Sequence, residues 1–194
     1  MASNTPKYNV AEIFYSIQGE GYFAGKSAIF IRFTGCNLSC DFCDEPNHKL
    51  PGKELDEERI LEKIGLYEPC RFIVLTGGEP TIQPYFPHLV ETLQDSDYFV
   101  AVETNGTTQM NCSPDWISVS PKTEDFIYGD ELKIVYQNQD LRPFESLPFK
   151  HFFLQPLNHQ DDINYQSVEE CLALIKENPC WRLSLQIHKV LKVD

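Results

Sequence analysis

Three cysteines fall within eight residues in the stretch TGCNLSCDFCDE, Thr34 to Glu45: Cys36, Cys40 and Cys43. Thiolate is the soft ligand of zinc and of iron–sulfur clusters, and in a chain this long clustered cysteines point to metal or redox chemistry rather than to disulfides. A closed zinc site is tetrahedral and takes four donors. Cys40 and Cys43 make one C-x2-C pair, Cys36 adds a third thiol, and His48, five residues beyond Cys43, could close a Cys3His set. A four-iron cube uses the spacing better. Three thiolates hold three of its irons, and the fourth iron keeps a position open. Such an iron can chelate a small molecule through an amine and a carboxylate and pass it an electron.

The elements that must position this loop are short. Strand-like runs, β-branched or aromatic and bounded by Gly, Pro, Asn or Asp, cover 9–16, 27–35, 71–75, 98–103, 116–120, 131–136, 151–155 and 182–187. Helical periodicity covers 56–66, 86–95 and 167–177, with Asp56 and Ser167 as expected N-caps and Ser167/Glu170 at capping-box spacing. Five strands end in small polar or glycine clusters: Thr34–Gly35, Thr76–Pro80, Glu103–Gly106, Ser120–Lys122 and Gln155–Pro156. In a parallel sheet or barrel the carboxyl ends of the strands form one face, and ligands sit there. Strands alternating with too few helices for a full eight-unit barrel predict an α/β fold, an incomplete, open (β/α) barrel with a reduced number of helices. The 194 residues fit one domain spanning 1–194.

A net charge of −13 would repel a phosphate backbone, which argues against nucleic-acid binding. No apolar run approaches the roughly 20 residues that span a bilayer. MASNTPKYNV carries no export signal, so a reducing, cytoplasmic setting is expected. Cys70, Cys112, Cys171 and Cys180 are scattered and are expected to be small buried hydrophobes.

Cys36-x3-Cys40-x2-Cys43, with Phe42 before the last cysteine, resembles the cluster loop of the radical S-adenosylmethionine (radical SAM) superfamily, and TGGEP (76–80) resembles its glycine-rich strand end. A finer resemblance, to the 7-carboxy-7-deazaguanine synthase family, extends over nearly the whole chain. It is carried by FYSIQGEG (14–21), FIRFTGCNLSC (30–40), ETNG (103–106), SPK (120–122), DELK (130–133), LQP (154–156) and RLSLQIHK (182–189). The resemblance implies a radical SAM barrel, a 4Fe–4S cluster on Cys36, Cys40 and Cys43, and S-adenosylmethionine as cofactor. It further implies conversion of 6-carboxy-5,6,7,8-tetrahydropterin to 7-carboxy-7-deazaguanine with loss of ammonia, a flavodoxin or ferredoxin as electron donor, and a homodimer.

By the same resemblance Phe42, Asp44, Gly78, Ser120, Pro121, Lys122, Gln155 and Pro156 line the cofactor, and Glu79 either joins them or is structural. Ile17, Gln18, Gly19, Glu20, Arg32, Thr76, His188 and Asp194 fall at substrate positions. Physical reasons support some of these. A carboxylate at Glu20 can accept two parallel hydrogen bonds from a guanidine-like edge. Arg32, inside the apolar run FIRF, needs a partner: a substrate carboxylate offers a bidentate one, and an internal salt bridge with one of the 29 acidic residues is the alternative. The chain departs from the family at Glu45, where a threonine that helps hold Mg2+ is common, so a weakened or altered Mg2+ dependence is expected. A glycyl-radical-enzyme activase of the same superfamily and a non-catalytic zinc module are the rival readings.

Overall fold

The computed structural model describes residues 5–45, 49–158 and 162–193. Nine strands form one sheet in the order β3-β1-β2-β4-β5-β6-β7-β8-β9. β1 (Tyr8–Ile17) pairs antiparallel with both β2 (Ser27–Phe33) and β3 (Lys53–Leu55). From β2 onward the strands are parallel: β4 (Phe72–Gly77), β5 (Phe99–Thr104), β6 (Trp116–Val119), β7 (Glu131–Val135), β8 (His151–Gln155) and β9 (Trp181–Leu183). The sheet curls without closing. The N–H of Gly21, just after β1, donates to Ser184 Oγ just past β9 at 3.1 Å, a contact between distant strands that a flat sheet forbids. The open, incomplete barrel expected from the sequence is what forms.

Helices cover one face. α1 (Glu57–Gly65) starts at Asp56, whose side chain accepts from the Arg59 N–H, and buries Ile60 and Ile64. α2 (Phe86–Asp95) buries Phe86, Leu89, Val90 and Leu93, one face of a 3.6-residue period. Each such side chain stabilises the fold by about 1.5–3 kcal/mol relative to exposure. α4 (Tyr165–Glu177) covers β8 and β9. The connections from β5 to β6 and from β6 to β7 carry no helix, and β7 to β8 holds only the single turn α3 (Arg142–Glu145). The reduced helix count is thus concentrated in the middle of the sheet.

Three expectations need correction. α4 begins earlier than the capping-box spacing suggests: Asn164 is the N-cap, accepting from the Ser167 N–H, while the Ser167 hydroxyl accepts from Leu157 N. The segment 182–187 is not one strand. β9 stops at Leu183, and α5 (Ile187–Leu191) follows after Ser184–Gln186 turn back over the sheet. Of the scattered cysteines only Cys171 is fully buried, its thiol pushed up to about 12 by burial. Cys70 and Cys112 are half-buried against the core and Cys180 is exposed.

Strand alternation sorts the side chains. Ile29, Ile31, Ile73, Leu75, Val100 and Val102 face the helices, whereas Ala28, Phe30, Phe72, Val74 and Ala101 pack together on the concave face. On that concave face, one step toward the carboxyl ends, a polar row replaces them. Arg32 is in register with Thr76, Glu103 with Ser118, and Ser118 with Glu131. The row marks where packing ends and a site begins.

Candidate active site

A cavity of about 1020 Å3 opens above that row. Its floor is the loop 18–26, which leaves β1 at the amino ends of the parallel strands. The turn is closed by Gln18 N to Lys26 O and Gly25 N to Gln18 O, both 2.8 Å. Tyr22 stacks on Trp116 at 4.8 Å between ring centroids, and Phe23 packs on Phe72 and Trp116, both at 4.9 Å. Those rings stopper the bottom of the barrel, so the polar atoms of Gln18 to Glu20 are presented upward. Gly19 lets the His188 ring rest on the turn, in space that a Cβ would share.

Charged groups cross the floor in sequence. Lys133, with a side chain only 7% exposed, is ion-paired with Glu20 and lies 4.0 Å from Glu103. Burial drives Glu20 toward its neutral form, but Lys133 outweighs that and holds it below the usual carboxylate range. The same pairing holds Lys133 well above its ordinary value against its own burial. Glu103 also accepts from Gln18 Nε2 at 3.0 Å and from Thr76 Oγ1 at 2.7 Å. Glu20 Oε1 accepts from Gln186 Nε2 at 2.8 Å, and the same nitrogen reaches Asp44 Oδ2 at 2.6 Å. Lys189 completes the path at 3.2 Å from Asp44.

The cysteine loop hangs over the opposite wall, between β2 and β3. Its start is stitched to the TGGEP strand end, Gly78 N to Phe33 O at 3.1 Å and Glu79 N to Gly35 O at 2.9 Å. Gly77 is glycine for an internal reason rather than for a ligand: at φ +119, a Cβ would come 2.3 Å from Phe33 O. Asn105 Nδ2 donates to Asn37 Oδ1 at 3.0 Å, and Asn37 Nδ2 to Thr107 Oγ1 at 2.7 Å, so the end of β5 steadies the loop. Lys122, whose ammonium donates to Ser120 Oγ at 2.6 Å and lies 5.6 Å from the Phe42 ring centre, sits beside Cys40. Burial and the Lys133 charge bring Lys122 down to about 8. Burial raises the Cys40 thiol despite that lysine.

Most residues singled out from the sequence converge on this cavity. Cys36, Cys40, Phe42, Cys43, Asp44 and Glu45 line it from the loop; Ile17, Gln18, Gly19 and Glu20 from the floor. Arg32, Thr76, Gly78, Ser120, Lys122, Gln155, Pro156 and His188 complete the wall. Two do not line it. Pro121 is not among the wall residues. Glu79 is fully buried beneath the wall, its oxygens accepting from Thr81 N, Thr81 Oγ1, Thr104 Oγ1 and Asn105 N at 2.7–3.2 Å. Four donors of the chain itself meet this carboxylate, three on Oε1 and one on Oε2. Asp194 and His48 lie outside the described residues. Arg32 is paired with Glu45 and with Glu12 at 3.2 Å, the internal salt bridge that stood beside a substrate carboxylate as its expected partner. Glu45 is correspondingly an arginine partner in this structure. Asn158 and Gln186 were missed, and Lys133 and Glu103 stood out only as members of DELK and ETNG; a lysine at a strand end is commonly solvated, but Lys133 is buried. Both carry the signal that flagged Arg32, a charge at an inward position of an apolar strand.

Among the described residues no three Cys, His, Asp or Glu side chains converge on one metal-ion position. The three thiols instead line a shared cavity from separate points of one loop. A four-iron cube asks each thiolate for a different corner, so the donors present fit it.

Residues 30–130 match the model of the Radical SAM superfamily. The chain is 40% identical to the 7-carboxy-7-deazaguanine synthase of Bacteroides thetaiotaomicron over 95% of this chain and 97% of that protein. It is 39% identical to the enzyme of the same name from Burkholderia multivorans, over 96% and 99%. The crystal structure of QueE from Escherichia coli is similar with a TM-score of 0.76 and 27% identity, covering 92% of this chain and 93% of that one. Fold, cysteine loop and cavity therefore define a radical SAM enzyme, a class that works with a 4Fe–4S cluster and S-adenosylmethionine. Within that class the chain belongs to the 7-carboxy-7-deazaguanine synthase family, whose members it matches over at least 95% of both sequences. Neither the activase nor the zinc-module reading is favoured by these matches.

Proposed function

We propose that the chain converts 6-carboxy-5,6,7,8-tetrahydropterin to 7-carboxy-7-deazaguanine with release of ammonia, as a single-domain enzyme of 7-deazapurine biosynthesis in a reducing cytoplasm. The observation that carries this reading is the facing of two groups across one cavity: three thiols on one wall, and the Glu20–Lys133 pair on the floor. Cys36, Cys40 and Cys43 would hold the cluster. Bound there, cluster and cofactor supply one-electron reduction and hydrogen-atom abstraction; the chain supplies grip, orientation and shelter from water.

Phe42, Asp44, Gly78, Ser120, Lys122, Gln155 and Pro156 lie on the thiol side and suit the cofactor. On the floor, Lys133 holds Glu20 in its acceptor form, which suits the guanidine-like edge of a pterin. Ile17 and Gly19 give that ring a flat seat, Gln18 and Thr76 orient Glu103, and His188 closes the side by resting on Gly19. Arg32 would receive the substrate carboxylate by exchanging it for Glu45. Mg2+ would have to compete with Arg32 for Glu45, which supports an altered metal dependence. A flavodoxin or ferredoxin donor and a homodimer are the family's arrangement and part of the proposal.

The test is an anaerobic assay of the reconstituted enzyme with the tetrahydropterin, S-adenosylmethionine and a low-potential reductant. Formation of the deazapurine chromophore is expected, with its loss, together with the iron and sulfide, in Cys40→Ala. Iron-loaded wild type that leaves the pterin unchanged would refute the substrate assignment.

A further inference from the structure

Gln186 is only 3% exposed, and its amide makes three hydrogen bonds. Nε2 donates to Glu20 Oε1 at 2.8 Å and Asp44 Oδ2 at 2.6 Å, and Oε1 accepts from Asn158 Nδ2 at 2.9 Å. The direction of this chain is set by backbone. The N–H of Asn164, at the start of α4, donates to Asn158 Oδ1 at 2.9 Å. A backbone N–H can only donate, so Asn158 must present its NH2 to Gln186. Gln186 must then present its own NH2 to the two carboxylates. Its two N–H hydrogens match two acceptors, one on the substrate-facing floor and one on the residue next to Cys43. A flipped amide, or a glutamate, would turn an oxygen on both.

We propose that Gln186 is a positioning residue that locks the substrate floor to the cysteine loop, fixing Glu20 and Asp44 relative to each other. The inference rests on the function proposed above for Glu20 and the loop, but the lock itself is a property of the polypeptide. Four separate segments meet at one amide: the loops after β1, β2 and β8, and the tail after β9. The tail is also tied to the floor by Ile187 N to Gly19 O at 3.0 Å. Reaction geometry tolerates little slack, a displacement of about 1 Å being enough to cost on the order of 100-fold in rate. Lys133 and Lys189 neutralise the two carboxylates but as point charges with flexible stems. Among the described residues the amide is what spans both with fixed directions.

The experiment uses Gln186→Met, which keeps the volume and removes the donors, Gln186→Glu, which reverses the polarity, and Asn158→Leu, which frees the amide to flip. Amide hydrogen exchange is first measured on the metal-free chains. Exchange at Glu20 and Ile187 is expected to quicken by about tenfold in Gln186→Met while β4 and β5 keep their protection. The reconstituted enzymes are then assayed with the tetrahydropterin. The pterin KM is expected to rise by about tenfold or more, with several-fold more S-adenosylmethionine consumed per product. Gln186→Glu is expected to be worse than Gln186→Met, and Asn158→Leu milder than both. A residue that only stabilised the fold would lower the folded fraction and leave KM and the consumption ratio alone. Unaltered exchange in Gln186→Met overturns the lock; quickened exchange with wild-type KM and ratio overturns its positioning role. If wild type itself leaves the pterin untouched, the substrate assignment fails and the exchange comparison still judges the lock.

Discussion

Glu79 and Glu20 are both carboxylates enclosed by the curled sheet, and they are satisfied by opposite means. Glu79 is met by two hydroxyls and two backbone N–H groups, all neutral and all belonging to strand ends or the turn that follows β4. Glu20 is met by the ammonium of Lys133 and the amide of Gln186, with Asp44 and Glu103 close behind. Neutral fixed donors hold one geometry and carry no charge to trade with a ligand. A charged network bordering a cavity can exchange a partner for a ligand's own charge. The first arrangement joins the ends of β4 and β5 beneath the cysteine loop; the second faces the space where chemistry is proposed.

The sharpest way to break this contrast is Lys133→Met. It removes the cation from Glu20 and leaves an enclosed carboxylate uncompensated, which costs about 3–5 kcal/mol at neutral pH. At about 2–4 °C per kcal/mol for a chain of this size, the Tm falls by roughly 6–20 °C. The sign of its pH dependence is the diagnostic. In wild type the folded-state pKa of Glu20 is depressed, so its stabilisation is complete above the unfolded pKa of about 4.3 and is lost as pH falls through the folded one. Without Lys133, burial and Asp44 push Glu20 the other way. The variant's deficit then shrinks as pH drops from 8 toward 5, because protonation relieves the stranded charge. Thermal unfolding of both proteins across that range checks it, and a deficit independent of pH would contradict the assignment.

Glu79→Gln should behave differently. The hydroxyls of Thr81 and Thr104 can rotate to meet a new NH2, but the backbone N–H groups of Thr81 and Asn105 cannot. One buried donor is left facing another, at a cost of about 1–3 kcal/mol. The Tm falls by roughly 2–12 °C. What is strained in the variant is an amide against backbone N–H groups, so no stranded charge is there for acid to relieve. A deficit that disappears in acid would make the two carboxylates alike after all.

The same contrast explains what was legible in the sequence. Apart from the three-residue β3, which was not expected, the strands up to β8 read well, as did α1 and α2, because apolar periodicity and Asp56 act locally. The tail did not: RLSLQI alternates like a strand, yet β9 is cut short because the following residues are drawn onto the floor through Ile187 N and Gln186. No local pattern encodes that attraction. The cysteine loop and the floor were visible as motifs. Glu79 shares its motif with residues that line the cavity, and only its burial separates it from them. Arg32 was noticed as a charge in an apolar run, but its partners lie on a neighbouring strand and a loop, and pairing across strands is a tertiary fact.

Arg32 and Glu45 provide the smallest and most informative perturbation. The pair borders the cavity with side chains 22% and 20% exposed, and Glu12 stands 3.2 Å from the same guanidinium. With Glu12 in reserve, Glu45→Thr strands no charge, so it costs on the order of 1 kcal/mol and lowers the Tm by about 2–4 °C. Its functional effect runs the other way. Arg32 is freed from one competitor, so a carboxylate-bearing pterin binds with a several-fold lower KM, in keeping with a paired charge weakening by about 1 kcal/mol. A hydroxyl at 45 also offers Mg2+ a neutral oxygen that no arginine claims, so turnover of the variant responds to added Mg2+ more strongly than that of wild type. Assays of both proteins with and without Mg2+, at several pterin concentrations, separate the two effects. Identical metal responses would remove Glu45 from the metal question, and an unchanged KM would leave Arg32 as a purely internal partner, bringing it nearer to Glu79 than to Glu20.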